Sequence, residues 1–231
     1  MKDQRFMEPQ IRYFFYDLFF SMFVREPTDQ VIDAWRTGLR TIRDAEPDDV
    51  VVARAAGLLD LLDADGANEA VRSECLDLFW ALTDGPAVSL LASPYVDGKP
   101  FGEYLVRLRT FIEKTPFRKC DDYIDPEDSL AFHLDLMRSL IREQSETTCP
   151  QERDGWLALQ DELLNDLLLT WVNGPLDSLE QCQKAPFYQA VAPVVRLWLD
   201  RDGRDLLEWR GQTQAAGNSG VSQDTGGRTC R

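Results

Sequence analysis

The sequence predicts an all-α fold, a single-domain helical bundle with one long central loop. Three observations carry this. Apolar residues recur at steps of three and four through most of the chain, the spacing that puts them on one face of a helix. No stretch alternates apolar and polar residues between turn signals, so no strand is expected. The longest break in the pattern, residues 84–100, holds three prolines and two glycines, a composition that neither a helix interior nor a central strand tolerates.

The elements follow in order. Ile11, Phe14, Phe15, Leu18, Phe19, Met22 and Phe23 form one continuous stripe, and Tyr13, Tyr16 and Phe20 widen it, so the first helix is expected to be enclosed on several sides. Pro27 ends it, and Thr28 or Asp29 can cap a second helix through Val31, Ile32, Trp35, Leu39 and Ile42. A third is expected from Pro47 through Val51, Val52, Ala55, Leu58, Leu59 and Leu62, and a fourth from about Asn68 to Leu82. After the loop, helical spacing resumes near Phe101 with Leu105, Leu108, Phe111 and Ile112. Another helix opens at Asp125-Pro126-Glu127-Asp128 and turns Leu130, Leu134, Met137 and Ile141 inward. A helix over about 154–172 stops at Asn173-Gly174-Pro175, and the last covers about 186–208. Residues 1–210 thus form the helical domain. The remainder, 211–231, is rich in Gly, Ser and Gln and is expected to be disordered, because it has too little apolar surface to offset its ordering entropy.

Charge and composition narrow the function. The chain of 231 residues has 40 acidic and 25 basic side chains, a net charge of −15. Such a field repels phosphate backbones and attracts basic peptides, so nucleic acid is not an expected partner. The apolar run 11–24 is too short to span a bilayer and contains Arg12 and Asp17; no cleavage site for secretion follows it. The five cysteines include no CxxC pair, which speaks for free thiols in a reducing compartment. A cytoplasmic protein is expected, without membrane insertion.

Catalytic chemistry has no foothold. The single histidine, His133, falls beside an apolar helix face, where a hydrogen-bonded core residue is the common role. One histidine cannot supply the paired Glu-x-x-His ligands of a di-iron bundle, and the cysteine spacing does not suit zinc. Phosphate-binding glycine loops and the nucleophile-elbow motif are absent. The chain is not expected to be an enzyme, and no cofactor or metal is assigned.

Two features could bind a partner. The first is the run from Asp125 to Ser129. As a helix start it places Asp125 at the N-cap, Pro126 at the first helical position and acids in the first turn. As a receptor it offers carboxylates to guanidinium groups. The second is the loop Ser93-Pro94-Tyr95-Val96, with Trp80 upstream and Phe101-Gly102-Glu103 downstream, whose aromatics could wall an apolar groove or simply cover the core.

In their order, these pieces resemble the TorD/DmsD/NarJ family of redox-enzyme maturation chaperones. The matching parts are the aromatic first helix, Ser93-Pro94-Tyr95, Phe101-Gly102-Glu103, Pro126-Glu127-Asp128-Ser129-Leu130, Trp171 and Pro186-Phe187-Tyr188. The resemblance runs from about residue 9 to 208. Two histidines usual in the family are replaced, one by Ser129 and one by Leu167. The resemblance implies a TorD-like bundle and a cytoplasmic chaperone for a molybdopterin oxidoreductase of the dimethyl-sulfoxide-reductase family. It would bind the catalytic subunit, or its twin-arginine signal peptide, until the cofactor is inserted. On that view Tyr95, Asp125, Pro126, Glu127, Asp128 and Ser129 form the peptide site, with Glu127 and Asp128 taking the arginines and Tyr95 the apolar stretch. The protein is a monomer or, where long loops permit, a domain-swapped dimer. The competing class is an all-helical ligand-sensing or protein-interaction domain.

Overall fold

The computed structural model describes residues 8–80, 85–99, 102–119 and 126–220, with side chains as far as residue 212. Among these the chain is helical throughout, apart from connecting segments and one isolated antiparallel bridge between Leu91 and Ser129. No helix among the described residues is long and apolar enough to cross a membrane.

The first helix, α1 (Pro9–Phe23), begins on a proline, whose missing N–H costs nothing in the first turn. Its buried face is Phe15, Tyr16, Leu18, Phe19, Met22 and Phe23, and it lies along α8 (Leu130–Glu146). Arg138 of α8 secures this pairing by bonding Asp17 and placing its guanidinium 4.3 Å from the centre of the Phe20 ring. Thr28 caps α2 (Asp29–Ala45) by accepting from the Val31 amide. Asp49 caps α3 (Val50–Ala56) by accepting from the Val51 and Val52 amides at 2.9 and 3.0 Å. The expected third helix is therefore two: Gly57 interrupts it, and α4 (Leu58–Leu62) follows. Next comes α5 (Ala67–Phe79), after which residues 81–84 lie outside the described ones.

The long loop contains a helix that the prolines seemed to forbid. α6 (Ala92–Val96) holds Pro94 in its first turn, where amides have no intrahelical partner to lose. α7 (Glu103–Glu113) packs against it. Beyond α8, α9 (Pro150–Asp161) passes into a π-helical stretch, Glu162–Leu167, and a short 3-10 turn, Leu168–Thr170, in place of one regular helix. The Asn173-Gly174-Pro175 stop also starts α10 (Asn173–Glu180), with Pro175 again in a first turn.

The last helix, α11 (Pro186–Gly220), touches α1, α3, α4, α5, α9 and α10 and forms the axis of the molecule. Its Trp198 stacks on Phe15 at 4.2 Å and its Phe187 on Trp35 at 5.8 Å. It runs past the expected end near 208. Gln212, Gln214, Ala215 and Ala216 are adequate helix formers and no proline follows, so the backbone stays helical to Gly220. The expected tail thus begins within this helix, and 221–231 lie outside the described residues.

Polar groups lock this packing. Arg12 is fully buried and grips Asp202 of α11 through two bonds, 2.6 Å from Nε and 2.9 Å from Nη2. Tyr16 donates to the same carboxylate at 2.7 Å, and the remaining arm of Arg12 reaches Gln160 of α9. Gln160 in turn donates to Gln144 of α8 at 3.0 Å. One cluster therefore fixes four helices, with the ionised groups hydrogen-bonded on both sides. At the start of α11, the amides of Phe187 and Tyr188 donate to Glu74 of α5, at 3.0 and 3.1 Å. That cap comes from another helix, and burial pushes the Glu74 carboxyl up.

Candidate peptide-binding groove

The segment that starts α8 is the meeting point. Ser129, not Asp125, is the N-cap: its hydroxyl accepts from the Phe132 amide at 3.1 Å. Asp125 lies outside the described residues. Pro126, Glu127 and Asp128 precede the helix and run beside the loop. Ala92 donates to the Asp128 carbonyl at 2.9 Å and Leu130 to the Leu90 carbonyl at 2.8 Å, the two bonds of the bridge.

Asp128 is not an open receptor. It is 3 % exposed, and one of its oxygens accepts from both the Ser93 amide (3.1 Å) and the Ser93 hydroxyl (2.5 Å). Its charge secures α6 to the start of α8. The sequence reading has this carboxylate take an arginine; in the structure its Oδ2 is committed to the loop wall. Glu127 remains partly accessible and is bonded at 2.6 Å by Arg109 of α7.

Tyr95 has other partners than these carboxylates. Its ring stacks on Trp171 with centroids 6.3 Å apart, and its hydroxyl donates to the Ser89 carbonyl at 3.1 Å. It lies directly on Gly174; a Cβ there would come within 2.4 Å of the ring, so glycine is what allows the approach. Tyr95 braces the loop from outside.

Behind Ser129 is a neutral relay. Trp171 Nε1 donates to the Tyr104 hydroxyl at 2.9 Å, Tyr104 donates to His133 Nε2 at 2.8 Å, and His133 Nδ1 donates to the Ser129 carbonyl at 2.7 Å. This order fixes one imidazole tautomer. Burial pushes His133 down to about 4 and Tyr104 well up. Both are neutral at physiological pH, and His133 is the core histidine its position suggested.

Between the loop and the helices lies an apolar groove of about 190 Å³. Phe23, Phe79 and Trp80 line it from the ends of α1 and α5. Pro86, Val88, Leu90 and Leu91 line it from the loop, and Pro126, Ser129 and Ala131 from the start of α8. Trp80 stands at 42 % exposure, its ring partly open to solvent at the edge of the groove. The structure thus brings Pro126 and Ser129 of the expected site into the groove, leaves Tyr95 and Glu127 off its lining, and seals Asp128 away. Leu90 and Leu91 were missed. An apolar pair inside a Pro- and Gly-rich loop was their available signal.

The family of known sequences that matches this chain covers residues 44–174, from α2 through the groove to α10, and is described as the nitrate reductase delta subunit. The chain belongs to the nitrate reductase delta subunit family. It is also similar to a protein named chaperone protein TorD from Aeromonas salmonicida (strain A449), with 29 % identity over 149 residues. That similarity covers 63 % of this chain and 65 % of the relative's length. No solved structure matches. Within this family assignment the motif from Pro126 to Leu130 has a plain physical role: it is a turn, closed by the Ser129 amide on the Pro126 carbonyl, that leads into α8, positions the loop against it and contributes two residues to the groove.

Proposed function

We propose that this protein is a cytoplasmic assembly chaperone, not an enzyme. Its client is a molybdopterin-containing oxidoreductase of the dimethyl-sulfoxide-reductase family, bound through its catalytic subunit or twin-arginine signal peptide until the cofactor is in place. Membership of the delta subunit family and similarity to a protein named as a chaperone support this reading. The observation that carries it is the groove: an apolar concavity with Trp80 half-exposed at its edge, on a molecule whose net charge of −15 draws in cationic segments.

A signal peptide offers arginines followed by an apolar stretch. The stretch suits the groove between Trp80, Leu90 and Pro126. Asp128 acts one step back by holding the loop wall, and Tyr95 braces that wall from its other side. Affinity is therefore expected to come mainly from apolar burial, with charge setting encounter and orientation.

The test is co-purification of the unprocessed client subunit with this chain, followed by Trp80→Ala. The variant should keep its helicity and melting temperature, because the ring is half in solvent, yet recover at least about fivefold less client, the loss expected when a large aromatic leaves a binding pocket. Equal recovery by Trp80→Ala and wild type would sink the groove as the binding site.

A further inference from the structure

Glu127 already holds a guanidinium, and it comes from its own chain. The Arg109 Nε lies 2.6 Å from Glu127 Oε2; Arg109 is 61 % exposed and Glu127 18 %. Glu127 sits in sequence between Pro126 and Ser129, both of which line the groove. Its neighbour Asp128 is committed to Ser93. Of the two carboxylates next to the groove among the described residues of this motif, Glu127 alone has a partner that can leave without unpacking anything.

We infer that Arg109 is an internal placeholder, occupying the carboxylate that an arginine of the bound peptide takes over. Arg109 reaches Glu127 from the outer face of α7, which is exposed at this position, so its departure returns it to water. An exposed ion pair of this sort is weak, and the entering arginine makes the same bond while its apolar neighbours fill the groove. Exchange of one guanidinium for another costs little electrostatically. A peptide without arginine leaves the Glu127–Arg109 pair as it was, so the placeholder keeps the carboxylate paired until an arginine arrives and lowers the net gain that arginine brings.

This rests on the peptide-groove reading above, and the experiment separates the two. The full chain is titrated with a fluorescein-labelled peptide bearing two adjacent arginines before a Leu/Ala stretch, and with the same peptide carrying glutamines in their place. Arg109→Gln should bind the arginine peptide roughly two- to fivefold more tightly than wild type, the range set by an exposed ion pair, and the glutamine peptide unchanged. Glu127→Gln should weaken arginine-peptide binding, and Arg109→Gln added to it should bring no further gain. Melting temperatures of all three variants should stay near that of wild type, which excludes a folding effect. Unchanged or weaker binding of the arginine peptide by Arg109→Gln overturns the placeholder while leaving the groove intact, as does an equal gain for both peptides. Failure of wild type to bind either peptide overturns the groove and the placeholder together.

Discussion

Arg12, Tyr16, Gln160 and Asp202 form a charged cluster under α1, whereas Tyr104, His133 and Trp171 form a neutral one behind Ser129. Both are buried and both are hydrogen-bonded throughout. They differ in what they hold together. The charged cluster ties helices that are distant in sequence, and a carboxylate and guanidinium locked in two parallel bonds accept one register only. The neutral cluster supports the start of α8, where the loop and the groove meet, through hydrogen bonds alone. The charged cluster thus fixes the register of the bundle, and the neutral one supports the segment that borders the groove.

The largest effect should come from breaking the charged cluster. Arg12→Met leaves Asp202 buried without its counterion and should cost about 3–5 kcal/mol in urea unfolding. Adding Asp202→Leu should return at least about 1 kcal/mol of that loss, since the lone carboxylate is the main penalty. A double variant no more stable than Arg12→Met would show that packing, not charge, dominates the loss.

The neutral cluster should show itself in pH dependence. His133 takes a proton only near pH 4 in the folded protein, but near 6.5 when unfolded. Below 6.5 the unfolded chain binds a proton that the folded one refuses. The group's contribution is therefore complete above pH 6.5 and is lost as pH falls towards 4, by about 3 kcal/mol in all. His133→Asn should flatten that part of the stability curve. An equally steep fall in the variant would assign it to other groups.

A smaller effect is expected at the join between frame and groove. Ser93→Ala removes the hydroxyl bond to Asp128 but leaves the amide bond, and should cost about 2 kcal/mol, as for a hydrogen bond to a buried charge. Amide exchange at Ala92 and Leu130, which form the bridge, should quicken. Smallest of all is Arg40→Ala. Its pair with Asp63, at 2.8 Å, is nearly half exposed at both ends, so unfolding should change by under about 0.5 kcal/mol. That variant calibrates the first: the same chemistry, differing in burial.

Much of this fold was legible because the apolar stripes are long and regular. α1, α2, α5, α8 and α11 appear where their stripes lie. The misreadings at prolines share a physical cause. Pro94, Pro175 and the proline of Asp125-Pro126 were read by residue type, whereas a proline's effect depends on whether its amide would have had a partner. Within a first turn it has none, so Pro94 and Pro175 sit inside helices, while Pro126 stands several residues ahead of α8. The π-helical stretch at 162–167 has no sequence signal we can identify. The buried charges did have one. Arg12 is spaced three and four residues from Phe15 and Tyr16, Glu74 from Val71 and Leu78, and Asp202 from Leu199, Trp198 and Leu206. Each is a charged residue within an apolar stripe, a position that demands a partner in the core. The candidate site was legible only as a region, because adjacent carboxylates look alike in sequence, whereas burial and partners separate them: Asp128 is held by Ser93 and Glu127 by the exposed Arg109.

The bond between Arg12 and Asp202 joins residues 190 positions apart. On a ribosome, α1 emerges long before its acidic partner in α11. At ordinary elongation rates that delay is roughly 10–40 seconds. In the interval α1 can dock on α8, but its guanidinium has no carboxylate to meet and the aromatic face waiting for Trp198 stays uncovered. The newborn chain therefore passes through a stage with an exposed, sticky helix, and a chain released before residue 202 should be cleared by proteases.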